Sequence, residues 1–166
     1  MKGKKLNPDH IKEVIRIADE SHFSQMMNLE VVEIGEEYAK VRLNFEDRHR
    51  NALMNIHGGV YASMLDAVTW WAVYSEIPER IGYTTIDLNV NDFSMHRGGT
   101  LYGEAKAIRV GRSIAMSEGW VKDENGRILA FGTSKLMILD EKSSLEAAIE
   151  GLGHDPLPRK FIDIED

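Results

Sequence analysis

Residues 55–71, NIHGGVYASMLDAVTWW, set a His-Gly-Gly triplet directly ahead of an apolar run that contains one acid, Asp66. From Gly59 to about Ser75 there is no proline, and apolar residues such as Val60, Met64, Leu65, Val68, Trp71 and Tyr74 occupy nearly every face of a helical wheel. A helix that is apolar all round is a buried one. The stretch therefore predicts a long central helix, which Pro78 prevents from continuing. Everything else is organised around it. On the N-terminal side, LEVVEIGEEYAKVRLNF alternates apolar and polar residues about a Gly-Glu pair and predicts two strands joined by a tight turn. On the C-terminal side, the segments from Ile81 to Leu139 alternate in the same way, and Asn125-Gly126 between two of them is a hairpin signal.

The strands come in hairpin-linked groups and do not alternate with helices, so the fold class is α+β, an antiparallel β-sheet wrapped around the long central helix. NPDHIKEVIRIADESHF places Ile11, Val14, Ile15 and Ala18 at helical spacing and predicts a short amphipathic helix over residues 8–22. The expected organisation is an N-terminal helical extension (1–24), one main domain (25–140), and a C-terminal helix with a loose polar tail (141–166).

With 166 residues the chain has room for one domain with a real core. A net charge of −7 argues against a general nucleic-acid binder. The absence of cysteine removes disulfides, thiolate metal sites and cysteine nucleophiles together. The six histidines form no helical His-x-x-x-His pair, so no metal is expected. No apolar run reaches the roughly 20 residues that span a bilayer, and MKGKKLNPDH lacks the apolar core of a signal peptide. The expectation is a cytoplasmic protein without a membrane partner.

Asp66 then needs a reason, because burying an isolated carboxylate costs several kcal/mol unless it is paired or neutralised. Its helical stripe (Ser63, Trp70, Val73) offers one hydroxyl and no cation. The plainer alternative is that Asp66 emerges at an edge of the helix. Gly58 and Gly59 open the helix, and their N–H groups belong to the unpaired set at a helix N-terminus, able to meet a carbonyl oxygen that gains negative charge. Gly58 and Asp66 are about 12 Å apart along one helix at 1.5 Å per residue. One copy's donor would therefore have to meet another copy's acid.

The combined pattern NALMNIHGGVYASMLDA, with Asn51 six residues before His57 and Asp66 nine after it, resembles the signature of hotdog-fold acyl-CoA thioesterases, in the branch similar to phenylacetate-pathway thioesterases. The resemblance continues through TTIDLNVNDF to SKLMIL and covers residues 25–139. It implies hydrolysis of an acyl- or aryl-CoA, with Asp66 as general base or nucleophile and the Gly58 N–H polarising the thioester carbonyl. It further implies that Asn51 binds or positions the lytic water or the carbonyl, that Thr85 orients the water and that His57 holds the loop. Gly59, Trp70, Arg97, Arg109 and Arg112 would contact substrate, the arginines through the phosphates of coenzyme A. No cofactor is expected beyond the coenzyme A of the substrate itself. The protein would be a homodimer or homotetramer whose sites cross the dimer interface. Two features depart from the pattern: the bulky Trp70-Trp71 pair, expected to narrow the acyl pocket, and NVNDFSMHRGG, which lacks a proline before its Arg-Gly. The alternative functions are a non-catalytic acyl-CoA-binding or regulatory hotdog protein and, more weakly, a dehydratase acting on hydroxyacyl thioesters.

Overall fold

The computed structural model describes residues 3–164. Their elements run β1 (Lys4–Leu6), α1 (Pro8–Glu20), α2 (His22–Met27), β2 (Leu29–Gly35), β3 (Tyr38–Asn44), α3 (Gly58–Tyr74), β4 (Tyr83–Asp92), β5 (Thr100–Val110), β6 (Ile114–Asp123), β7 (Ile128–Ile138), α4 (Leu145–Gly151) and β8 (Phe161–Asp163). Asn7 starts α1 by accepting the Asp9 N–H on its side chain, with Pro8 in the first helical turn where its missing N–H costs nothing. Ser21 separates α1 from α2 and caps the second helix, and Asn28 ends it in the left-handed conformation.

β2 to β7 form one six-stranded antiparallel sheet in the order β2-β3-β5-β6-β7-β4. Alternate residues turn inward, among them Val41 and Leu43 on β3, Leu101 on β5, Val121 on β6, and Ala130 and Leu136 on β7, all fully buried. α3 lies across this face and buries Val60, Met64, Leu65, Val68, Ala72 and Val73 against it. Each of these valines, leucines and methionines contributes about 1.5–3 kcal/mol on leaving water. The helix sits close because glycines lie beneath it. A Cβ on Gly132 would stand 3.0 Å from Leu65 Cδ1 and 2.8 Å from the Asn89 carbonyl oxygen, and one on Gly119 would stand 3.3 Å from Thr69 Cγ2.

The two edges of the sheet differ. β2 is flanked by α1, and Asp19 on that helix accepts the Val31 N–H at 2.8 Å. β4 pairs with β7 alone among the described residues, and its other edge is open along ten residues. A register shift between Thr85 and Asp87 leaves Ile86 bulged and exposed on it.

Two expectations are corrected. α3 is not buried all round: Asp66 is exposed, because the chain's own sheet covers only one face of the helix. Residues 159–164 of the C-terminal tail are not loose either. β8 pairs with β1, and Lys160 is 1% exposed, held by its contacts with the end of α3. Among the described residues no helix is long and apolar enough to cross a membrane.

Candidate active site

The loop between β3 and α3 is built by its own side chains. Asn51 accepts the Leu53 and Asn55 N–H groups on Oδ1 at 2.9 and 3.2 Å and donates from Nδ2 to the Ile56 carbonyl at 3.2 Å. Arg97 donates to Asn55 Oδ1 at 2.8 Å, and Arg50 donates to the carbonyls of Met54 and Arg97. His49 is buried beneath, its Nδ1 accepting the Glu46 N–H at 2.9 Å, and its burial lowers its pKa. This clasp delivers His57 to the start of α3 in one orientation.

His57 is the N-cap of α3. Its Nδ1 accepts the Gly59 N–H at 2.9 Å, and its carbonyl accepts the Val60 N–H at 2.9 Å. That leaves the Gly58 N–H without a partner among the described residues, at the positive end of the helix dipole. It is available to an oxygen from outside.

An open cleft of about 540 Å³ lies at this point, its walls including Asn51, Gly58, Tyr61, Asp92, Phe93 and Arg127. Tyr61 donates its hydroxyl to the Ser94 carbonyl at 3.0 Å, and burial, assisted by the charge of Asp92, pushes its pKa up to about 12. Arg127 donates to Ser94 Oγ at 2.8 Å from the β6–β7 turn.

Of the residues expected at the site, the structure brings Asn51 and Gly58 together on this cleft, with His57 beside them. Gly59 is exposed, and its N–H is taken by His57. Asp66 is two turns further along α3, exposed, on the face that the sheet leaves bare. Thr85 is half-buried on β4, opposite Leu136. Trp70 is half-buried, its ring stacked on Tyr83 with centroids 4.3 Å apart and set edge-on to Trp71 at 4.6 Å.

The three arginines are not gathered. Arg97 stands just before β5, while Arg109 lies near the far end of that strand and Arg112 just beyond it. That separation is roughly 30 Å or more at 3.3 Å per residue, so within one chain Arg97 cannot share a phosphate with Arg109 or Arg112. Asp92, Phe93 and Arg127 were not singled out by the sequence reading. Asp92 closes a strand whose alternation gives it no distinction, and only the sheet order carries the end of β4 to the first turn of α3.

The thioesterase superfamily model matches residues 53–130. Rv1847 of Mycobacterium tuberculosis, provisionally named an esterase, is 24% identical over 123 residues, spanning 72% of this chain and 88% of its own length. A protein of Halobacterium salinarum, also provisionally named an esterase, is 35% identical over 66 residues, 39% of this chain and 43% of its own. The crystal structure of thioesterase HI1161 from Haemophilus influenzae superposes with a TM-score of 0.73 at 18% identity, over 79% of this chain and 91% of that one. The E. coli PaaI protein from the phenylacetic acid degradation operon gives 0.71 at 14% identity, over 80% and 95%. These structural likenesses bear on the fold.

Proposed function

We propose that the chain is a member of the hotdog-fold thioesterase superfamily, whose model matches residues 53–130, and that it hydrolyses an acyl- or aryl-CoA thioester to the free acid and coenzyme A. The coarser statement, a hydrolase of thioesterase type, rests on the family itself. The finer one is carried by a single observation: an unpartnered Gly58 N–H opens onto a cleft, while an exposed acid stands two turns along the same helix.

The Gly58 N–H polarises the thioester carbonyl and stabilises the oxyanion that forms on attack. Asp66 of the same chain is about 12 Å away along the helix axis, so the acid that serves this carbonyl is Asp66 of a second copy. It either removes a proton from the attacking water or attacks the carbonyl itself. The open edge of β4 supports such a pairing, since a ten-residue strand with no neighbour on its outer side among the described residues and an exposed Ile86 invites a second strand. Two copies joined there would bring their α3 helices side by side over one continuous sheet. Thr85, on that strand, orients the water, and the second amide hydrogen of Asn51 points the carbonyl or water into place. His57 keeps the helix start in register. Trp70 limits the acyl pocket on the Asp66 side.

The test is release of free thiol from a panel of short-chain, long-chain and aromatic acyl-CoAs by wild type and Asp66→Asn, with sedimentation of both samples. A dimer whose turnover drops by about 10²-fold or more in the variant is expected. Undiminished turnover by a folded Asp66→Asn protein would sink the assignment. Saturable acyl-CoA binding with no turnover by wild type would make the protein a binding member of the family.

A further inference from the structure

Asp92 ends β4 with its carboxylate laid over the first turn of α3. A Cβ on Gly58 would lie 2.7 Å from Asp92 Oδ2, so Gly58 is what admits the carboxylate here. Asp92 is exposed, and among the described residues its carboxylate accepts no hydrogen bond; partial burial raises its pKa. The nearby guanidinium of Arg127 is turned to Ser94 Oγ at 2.8 Å. The cleft wall beside the free Gly58 N–H thus carries an acceptor that water serves and to which no group among the described residues donates.

We propose that Asp92 is a specificity-determining residue that selects thioesters whose acyl group carries a hydroxyl on the carbons adjoining the carbonyl. The proposal rests on the reading that the carbonyl binds at the Gly58 N–H. With the carbonyl oxygen there, the first carbons of the acyl chain pass the Asp92 carboxylate. A plain hydrocarbon strips water from that carboxylate and returns nothing. A hydroxyl replaces the lost water with a charge-assisted hydrogen bond. A site built to bond a substrate hydroxyl rejects the analogue that lacks it. Because Asp92 is exposed, the expected discrimination is on the order of 10- to 100-fold, well below that of a sealed pocket.

The experiment compares 3-hydroxybutanoyl-CoA with butanoyl-CoA on wild type, Asp92→Ala and Asp92→Asn, as kcat/KM. The same two thioesters are also compared by calorimetric dissociation constants in an Asp66→Asn background, which needs no turnover. Wild type should favour the hydroxyacyl thioester by about tenfold or more, Asp92→Ala should lose most of that ratio, and Asp92→Asn, which keeps an acceptor, should retain part of it. An unchanged ratio in Asp92→Ala overturns the proposal. So does an equal loss on both thioesters, which would place Asp92 against the pantetheine arm or give it a structural role. Failure of the hydrolysis reading shows separately, as Asp66→Asn turning over both substrates.

Discussion

His57 spends its Nδ1 lone pair on the Gly59 N–H, which places the proton of the neutral ring on Nε2. A histidine acting as an N-cap is a poor candidate for a base at that same nitrogen. His57→Ala is expected to lose about 1 kcal/mol of stability, a fall of roughly 2–4 °C in Tm for a chain of this size. Its thiol release should fall less than in Asp66→Asn. A loss of activity equal to that of Asp66→Asn, at unchanged Tm, would give His57 a chemical role. Asn51, His57, Gly58 and Gly59 were legible in the sequence as one short loop-to-helix unit, because contiguous residues need no tertiary information to be neighbours. Whether Asp66 is buried or emerges at an edge of the helix was left open by the sequence, since its apolar neighbours signal an interior without saying whether a chain fills both sides of it by itself.

At the level of elements, the approach of α3 to the sheet depends on the absence of side chains beneath it. Gly119 and Gly132 are partners across β6 and β7, and both lie under α3. Gly132→Ala would press its methyl against the Asn89 carbonyl at 2.8 Å and Leu65 at 3.0 Å. The backbone atom has little freedom to retreat, and a loss of about 1–3 kcal/mol is expected. A fall in Tm read by calorimetry checks it, and an unchanged Tm would mean that α3 can ride outward freely. The strands themselves were legible from alternation, and the β6–β7 hairpin from Asn125-Gly126, where Gly126 does take a positive φ of 79°. Their order was not. Alternation says which face a residue takes but not which strand lies beside it, so Arg97, Arg109 and Arg112 read as a group while the structure spreads them along the whole of β5.

Over the whole molecule, the two chain ends are tied together at the C-terminal end of α3. β1 pairs with β8, and Asn7 donates to the Arg159 carbonyl at 2.8 Å. His10 donates from Nδ1 to the Pro158 carbonyl at 2.6 Å and accepts the Tyr74 hydroxyl at Nε2, also at 2.6 Å. Lys160 donates to the Ile77 carbonyl at 2.8 Å, and its ammonium lies 3.6 Å from the centre of the Tyr74 ring. Burial lowers the Lys160 pKa from 10.5 to about 8, more than Glu146, Glu79 and Glu76 together restore. The folded state therefore binds this proton less tightly than the unfolded state. The penalty is present in full below about pH 8 and fades as pH rises toward 10.5. Comparing wild type with Lys160→Met in denaturant at pH 7 and pH 9.5, the difference in unfolding free energy should move in favour of wild type at the higher pH. A difference independent of pH would show that Lys160 titrates alike in both states.

By itself the sequence determined the class of fold, the central helix with its glycine-opened start, and the Asn51, His57 and Gly58 unit. Local periodicity, proline and glycine placement and short spacings carry that information within a few residues of chain. Only the tertiary structure decided that Asp66 faces outward, that the open edge of the sheet belongs to β4, that Asp92 meets Gly58, and that the tail is pinned at Lys160. Each of these depends on which distant segments become neighbours. That is settled by how the sheet, the helix and the chain ends bury their surfaces together, and no residue's own chemistry announces it.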